Sequence, residues 1–190
     1  MAFLSRKQIQ GLGFKSLGKN VNISDKASFY NIENISIGNN VRIDDFCIIS
    51  AGSAGSAGIS IGNYIHIACY CSFIGQERIE LHDFSNVSSR VAIYSSNDDY
   101  SGEYLMGPCV PSEYSNVSHG PVILEKHTII GAGSVLLPGV TIAYGTAIGA
   151  LSLVLKSCDE KSIYIGSPAK RIKARKTGFE KMEALLLKKE

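Results

Sequence analysis

Aliphatic side chains recur at every sixth position in the C-terminal half of the chain, at Leu124, Ile130, Leu136, Ile142, Ile148 and Val154. Small or polar residues fill most of the positions between them. A spacing of six is not the 3.6-residue period of an α-helix, and it is three times the two-residue period of a strand. So short a repeat predicts a winding chain that places one aliphatic side chain inward per flat segment and turns a corner between segments. Each turn then buries its apolar residues by stacking on the next turn.

The same phase continues upstream in three further sets and brings the number of hexads to fifteen; the added positions are Ile37, Ile43, Ile49, Ile61, Ile67, Phe73, Leu81, Val87 and Ile93. Three interruptions separate the sets, at residues 50–60, Gly75–Ile79 and Asn97–His119. A winding core cannot absorb extra residues without losing register, so each interruption predicts a loop pushed out of the coil. The sequence therefore predicts an all-β fold, a parallel β-helix with one long excursion loop.

Three segments are expected along the chain. Residues 1–20 form a leader with a short helix that Ser5 caps, residues 21–156 form the β-helix with its loop at 97–119, and residues 157–190 leave the coil. This last segment ends in a predicted α-helix with Thr177 as its N-cap. One face of that helix is apolar and predicts a lid on the open end of the coil or on a neighbouring subunit; it carries Phe179, Met182, Leu185 and Leu186.

Composition narrows the function without identifying it. The chain has 190 residues, enough for one domain with a sizeable core. Its 19 Lys and Arg nearly balance 17 Asp and Glu, which argues against a nucleic-acid partner. The basic residues cluster at Lys170–Lys176. This run is either a solvated polar segment or a site of attraction for a phosphorylated ligand or an anionic membrane surface.

Five cysteines, an odd number without the spacing of a metal site, predict reduced thiols and a cytoplasmic protein that requires no metal. The first residues contain neither a long apolar stretch nor a small-residue cleavage pattern. They therefore predict neither a signal peptide nor a membrane span.

The stretch from Pro121 to Ala150, followed by IYIGSPAKRIK, resembles the hexapeptide-repeat acyltransferases, particularly the galactoside, maltose and polysaccharide O-acetyltransferases. Its IGSPAK segment matches the G-x-P-A-K signature that closes the coil in that family. The resemblance covers roughly residues 21–175. It implies a left-handed parallel β-helix, a homotrimer with active sites between adjacent subunits, and acetyl-coenzyme A as the acyl donor.

Five residues match the family's coenzyme contacts: Ala132, Ala150, Lys156, Lys170 and Lys173. The resemblance implies that the two alanines face the thioester arm and that the lysines meet phosphates as point charges. The alternative for the alanines is plain packing at a corner of the coil.

The family's catalytic base is a histidine just after the hexad that precedes the long loop, and here Asp98 stands at that position. His119 lies where the loop rejoins the coil, so it is expected close to Asp98. One hypothesis makes His119 the base, with Asp98 or Asp99 orienting its ring. A second makes Asp98 the base, a third assigns His66 at an outward corner, and a fourth is that the chain has no functional base. His82 and His127 occupy turn positions and are interpreted as structural.

The run that opens the loop is acidic and aromatic, and it predicts an acceptor pocket suited to the hydroxyl groups and flat face of a sugar. The expected acceptor-binding residues are Asn97, Tyr100, Tyr104, Met106 and His66. The alternative is a loop opening in which Asn and Asp serve as turn formers.

The leading functional prediction is an acetyl-coenzyme A-dependent O-acetyltransferase that acts on a saccharide hydroxyl in surface polysaccharide or O-antigen biosynthesis. One alternative is an N-acetyltransferase of an amino sugar or its nucleotide. Another is a non-catalytic β-helix that serves in binding or assembly. A zinc-dependent carbonic anhydrase of this architecture would need a closely spaced histidine pair, which the four histidines do not supply.

Overall fold

The chain winds as a three-sided coil, described for residues 2–53 and 58–189 of a computed structural model. The first face consists of six parallel strands: β1 (Ser16–Leu17), β4 (Ile35–Ile37), β7 (Ile59–Ile61), β10 (Ile79–Leu81), β15 (Val122–Leu124) and β18 (Thr141–Ile142). The second face has seven parallel strands and a final antiparallel one: β2 (Asn22–Ile23), β5 (Val41–Ile43), β8 (Ile65–Ile67), β11 (Asn86–Val87), β16 (Ile129–Ile130), β19 (Ala147–Ile148), β21 (Ser162–Ile165) and β22 (Lys170–Ala174). The third face has six: β3 (Ser28–Tyr30), β6 (Ile48–Ser50), β9 (Ser72–Ile74), β12 (Ala92–Tyr94), β17 (Val135–Leu136) and β20 (Leu153–Val154).

The remaining elements lie outside these faces. A two-stranded antiparallel ribbon, β13 (Ser96–Asn97) with β14 (Ser118–His119), forms the base of the long loop. Two α-helices flank the coil, α1 (Arg6–Gly11) and α2 (Gly178–Leu187), and 3-10 turns occur at Ile32–Asn34 and Ser112–Tyr114.

The core is the stack of hexad residues that the sequence pattern identified. All fifteen are at most 2% exposed. The pairing is in register, so equivalent residues of successive turns sit directly above one another, as in Ile43, Ile67 and Val87. Branched aliphatics in this arrangement fill the interior of the coil, and each turn covers the apolar side chains of its neighbours.

The three predicted interruptions have different outcomes. Of the segment 50–60, residues 54–57 lie outside the described residues. The second interruption is a turn between β9 and β10, which keep their pairing with strands of the same face in neighbouring turns. The third leaves the coil after β13 and returns through β14, as predicted.

Strand pairing extends beyond the predicted bounds of the coil at both ends. β1 lies inside the expected leader and pairs with β4 through Ser16 and Ser36. β21 lies inside the expected C-terminal extension and pairs with β19 through Ala147 and Ile163. Leu17 of β1 continues a six-residue spacing with Ile23 and Phe29 that the predicted sets did not include, whereas β21 departs from that spacing. In the leader, α1 begins at the predicted cap, where Ser5 Oγ accepts a hydrogen bond from the Gln8 amide at 3.4 Å.

A column of stacked rings follows the corner between the first and second faces. Tyr64, Phe84 and His127 occupy the left-handed region at this corner in successive turns, with φ of 57°, 60° and 63°. Their ring centroids are 4.7 and 5.1 Å apart, and Phe179 of α2 continues the column at 4.6 Å from His127. Phe179 fits there because the next corner residue is Gly145: a Cβ atom at Gly145 would lie 2.7 Å from the Phe179 ring. His127 is therefore structural, as predicted.

Helix α2 lies along this corner and does not cover the open end of the coil. Glu183 accepts from Lys126 Nζ at 2.5 Å and lies 2.8 Å from His127 Nε2, while Glu180 pairs with Lys161 Nζ at 3.1 Å. The lid prediction was wrong in this respect, because these ion pairs and the Phe179 ring attach the helix lengthwise. Thr177 precedes the helix, but its side chain makes no capping hydrogen bond.

Acidification is expected to release α2. The hydrogen bond from Lys126 holds the pKa of Glu183 below its ordinary value, and the hydrogen bond from Lys161 does the same for Glu180. A carboxylate whose pKa is lowered by folding stabilises the folded state above its unfolded pKa, and this contribution is lost as the pH falls through the folded value. Amide hydrogen exchange of residues 178–187, corrected for intrinsic rates, should therefore accelerate below a pH of about 4.3.

The double variant Glu180→Gln, Glu183→Gln is the control for this effect. It should show fast exchange at neutral pH as well, with little further change on acidification. Equal protection of α2 in the wild-type protein at pH 3 and pH 6 would contradict the expectation.

Among the described residues, no helix has the length and apolar character needed to cross a membrane.

Candidate active site

The ribbon at the root of the long loop holds His119 against the coil. β13 and β14 pair with Ser96 opposite His119, and the Ser96 hydroxyl lies 2.8 Å from His119 Nδ1. The same hydroxyl accepts a hydrogen bond from the Gln76 amide at 2.7 Å. The imidazole is thus attached through one ring nitrogen to two turns of the coil, which leaves Nε2 as the nitrogen that can act on a ligand.

A cavity of about 600 Å³ opens beside this ribbon, at the corner between the third and first faces. His119, Asp98, Ser96 and Gln76 supply polar side chains to its wall, and apolar surface comes from Ile74, Pro108, Val110 and Val117. Asp98 Oδ1 accepts a hydrogen bond from the Gly107 amide at 3.3 Å. A cavity with an apolar wall and a few convergent polar groups is the usual form of a small-molecule site.

His119 and Asp98 line one cavity, but the structure does not pair them. Ser96, and not Asp98 or Asp99, is the hydrogen-bond partner of the His119 ring. Asp99 faces its own loop, where its carboxylate accepts from the Ser101 amide at 3.0 Å and from the Ser101 hydroxyl at 2.7 Å. In the single chain the hydroxyl of Ser96 therefore orients the His119 ring, a role that the sequence predicted for a carboxylate.

The predicted acceptor residues all lie outside the lining of this cavity in the single chain. Asn97 lies in the ribbon, where its carbonyl accepts from the Ser118 hydroxyl at 3.2 Å. Tyr100, Tyr104 and Met106 are 85%, 45% and 64% exposed and do not line the cavity of their own chain. These three side chains could line an acceptor pocket only if another subunit packed against the loop.

His66 belongs to a different part of the surface, on the second face. Its Nε2 lies 2.8 Å from Asp44, which also accepts from Arg42 Nε at 2.6 Å. Burial raises the pKa of Asp44, but the hydrogen bonds from Arg42 and His66 outweigh it and lower the pKa overall. His66 is thereby hydrogen-bonded to Asp44 on the second face, and it does not line the cavity.

The five residues expected to contact the donor lie in the C-terminal part of the coil, and they do not share one side of it. Ala132 and Ala150 stack at the corner between the second and third faces, where the Leu151 amide donates to the Ala132 carbonyl at 2.9 Å. A Cβ atom at Gly131 would lie 2.4 Å from the Ala150 nitrogen, so these turns pack with little space between them. Lys156 follows β20 at the same corner as the cavity, and Lys170 and Lys173 are exposed on β22.

The two polar residues that connect His119 to the coil, Ser96 and Gln76, were not predicted from the sequence. Gln76 lies in a phase break and Ser96 just before the loop, and neither residue type is distinctive in such places. The register of β13 against β14, which the sequence does not reveal, brings Ser96 to His119, and the turn after β9 brings the Gln76 amide to Ser96. No group of three or more His, Cys, Asp or Glu side chains arranged to hold a metal ion occurs within residues 2–53 and 58–189.

Comparisons with known proteins identify the family. No family model matches the chain. The chain is 53% identical over 185 residues, 97% of its length and 95% of the relative's, to the dTDP-4-amino-4,6-dideoxy-D-glucose acyltransferase of Escherichia coli. It superimposes with a TM-score of 0.94 on AntD, an N-acyltransferase from Bacillus cereus in complex with dTDP and 3-hydroxybutyryl-CoA, at 50% identity over 98% of this chain and 97% of that one.

A maltose O-acetyltransferase from Clostridium difficile 630 shares the fold, with a TM-score of 0.60 at 22% identity over 90% of this chain and 75% of that one. The chain belongs to the hexapeptide-repeat, left-handed β-helix acyltransferases, and it is an acyltransferase. The predicted family and fold are confirmed, including the C-terminal helix.

Proposed function

We propose that this protein transfers an acyl group from a coenzyme A thioester to the amino group of a dTDP-linked 4-amino-4,6-dideoxyhexose. The observation that carries the proposal is the 53% identity over nearly the whole chain to an acyltransferase of that substrate. The structural likeness to AntD, an N-acyltransferase with dTDP and an acyl-coenzyme A bound, supports both ligand classes. This favours N-acylation, the predicted alternative, over the leading prediction of O-acetylation and over a non-catalytic role.

The chemistry of the cavity agrees with an amine acceptor. A hydroxyl group must lose its proton as it attacks a thioester, which calls for a strong general base such as a histidine. A neutral amine attacks with its lone pair, and its nitrogen becomes positively charged in the tetrahedral intermediate. A carboxylate suffices to take a proton from that cation, and it also attracts the ammonium form of the free amino sugar. An aspartate at the position of the family's histidine therefore suits amide formation.

In the proposed reaction the amine nitrogen bonds to the thioester carbon, the C–S bond breaks and coenzyme A leaves as the thiol. Asp98 takes the proton from the nitrogen, and the thiolate of the leaving group ultimately receives a proton. His119, attached to Ser96 through Nδ1, lies on the same cavity wall with Nε2 available to the acceptor or to the oxyanion.

An aspartate is among the residues substituted in the solved AntD variants. They include substitutions of a serine and of an aspartate ten residues further along that chain. Two pairs in this protein have the same separation, Ser88 with Asp98 and Ser89 with Asp99. Asp98 lines the cavity, whereas Asp99 is occupied by Ser101. This comparison favours Asp98 as the functional carboxylate.

The arrangement of donor and acceptor residues also supports the proposed homotrimer. The cavity lies at one corner of the coil, whereas Ala132 and Ala150 lie at another. One chain cannot bring these corners together, but adjacent copies around a threefold axis can place them in one groove. The exposed Tyr100, Tyr104 and Met106 would then meet the second subunit. A role in surface polysaccharide assembly stays a prediction.

Acceptor specificity tests the proposal. With acetyl-coenzyme A or 3-hydroxybutyryl-coenzyme A as donor, thiol release should occur with dTDP-4-amino-4,6-dideoxyglucose. The matched nucleotide sugar with a 4-hydroxyl group should give little or no release. Equal turnover of the hydroxyl analogue, or turnover with free maltose or galactosides alone, would restore the O-acetyltransferase prediction.

A further inference from the structure

A second cavity of about 310 Å³ lies on the first face next to the candidate active site. Its lining is mostly polar and includes Lys15, Asn34, Ser36, Ser60, Arg78 and Glu80. These residues come from successive turns, since β4, β7 and β10 pair side by side with Ser36, Ser60 and Glu80 in one outward row. The coil thus presents two cations and two hydroxyl groups on one rigid surface.

The backbone connects this cavity directly to the first one. Gln76 lines the active-site cavity and Arg78 lines the second, and two residues of extended chain span at most about 7 Å. On the other side, the Val122 amide donates to the Arg78 carbonyl at 3.0 Å, three residues after His119. Arg78 therefore lies next to the active-site cavity that Asp98 and His119 line.

The separation between the two cavities matches the shape of the proposed substrate. In a 4-amino sugar nucleotide the amine and the diphosphate are attached to opposite ends of the pyranose ring. An enzyme that holds the amine near Asp98 and His119 must bind the diphosphate about one ring length away. Such a dianion calls for cations, and a guanidinium group is well shaped to bind phosphate oxygens in pairs.

Arg78 has donors available for that purpose. Its Nη1 lies 3.3 Å from Glu80, and the two side chains are 50% and 27% exposed. An ion pair of this kind contributes little stability, so it positions the guanidinium without committing it. The remaining N–H groups of Arg78 can reach a phosphate, and Lys15 adds a second positive charge on the same cavity.

We infer that Arg78, assisted by Lys15, binds the diphosphate of the nucleotide-sugar acceptor in this second cavity. The inference rests on the proposed function and extends it to the residues that select a nucleotide-linked sugar over a free one. Glu80 lies beside Arg78 in this cavity, so its negative carboxylate is expected to weaken the binding of an anion there.

Binding of dTDP and of thymidine, measured by calorimetry, tests this assignment. Arg78→Ala should weaken dTDP binding about 10- to 100-fold, because charge-assisted hydrogen bonds to phosphate are lost. Thymidine binding should change little. Lys15→Ala should weaken dTDP about 3- to 10-fold, and Glu80→Gln should tighten it. Lys188→Ala, at an exposed position beyond α2, is the matched control and should leave both affinities unchanged.

Coenzyme A binding and the thermal midpoint of each variant report whether the fold is intact. An Arg78→Ala protein that keeps full dTDP affinity, or that loses thymidine and dTDP affinity equally, overturns the inference while the proposed function stands. A wild-type protein that binds no dTDP and does not acylate the amino sugar nucleotide overturns the proposed function itself.

Discussion

Asp98→Asn is expected to lower kcat by about 100-fold or more while leaving the affinity for coenzyme A unchanged. The substitution keeps the shape of the side chain and its hydrogen bond from Gly107, but it removes the group proposed to take the proton from the amine. Loss of a general base typically reduces the rate 10²- to 10⁴-fold, and an effect confined to the transition state appears in kcat. Steady-state kinetics with the amino sugar nucleotide and calorimetry with coenzyme A provide the measurement.

The comparison with His119→Ala decides between the two candidates for the base. His119 was the first candidate from the sequence, with a carboxylate to orient it, but the structure gives its ring to Ser96. Its removal is expected to cost about tenfold, as the loss of one polar contact to the acceptor or oxyanion. Asp25→Asn, an exposed carboxylate at the N-terminal end of the coil, is the matched control. A larger loss in His119→Ala than in Asp98→Asn would assign the base to His119.

Phe73→Ala is expected to destabilise the protein by about 3–5 kcal/mol. Phe73 is fully buried on β9, where it stands between Ile49 and Ile93 of the adjacent turns. Its removal leaves a cavity that the neighbouring turns cannot close, because their backbones are fixed in register by hydrogen bonds on three faces. Urea denaturation at fixed protein concentration measures the change and keeps any contribution from subunit association constant.

The control for this prediction is Ile48→Ala on the adjacent turn of the same face. Ile48 is 41% exposed and points away from the core, so its truncation should cost less than about 1 kcal/mol in an isolated subunit. A loss at Ile48 as large as that at Phe73 would indicate that the outer surface of the third face is buried between subunits.

The candidate site was predictable only in part, for reasons that particular residues illustrate. Asp98 could be found because it stands where the resembling family has its histidine. His119 could be found because it flanks the longest interruption of a regular repeat, and the two ends of an excursion loop must meet. Ser96 and Gln76 could not, because their approach to His119 depends on strand register and on a turn conformation. The roles expected for Tyr100, Tyr104 and Met106 stay predictions, because these side chains are exposed in the single chain and nothing in the sequence specifies the direction in which a loop side chain points.

The aspartate at the position of the family's histidine bears on the choice between amine and hydroxyl acceptors. On the sequence alone, His119 is predicted to compensate for the missing histidine. The proposed amide formation accounts for the aspartate without compensation, since a nitrogen that becomes cationic releases its proton to a weaker base than an alcohol does. The comparisons with amino-sugar acyltransferases favour the same choice.

The amino-acid sequence alone determined that this chain winds in flat, six-residue steps around an aliphatic core. That follows because the inward direction of a side chain on a regular repeat is set by its position in the repeat. The tertiary structure decided where the ends of the coil lie, that α2 lies along a corner, and which side chains share a cavity with His119 and Asp98. Those features depend on contacts between residues far apart in the chain, such as Phe179 on Gly145 and Ser96 on Gln76, and local periodicity carries no information about them.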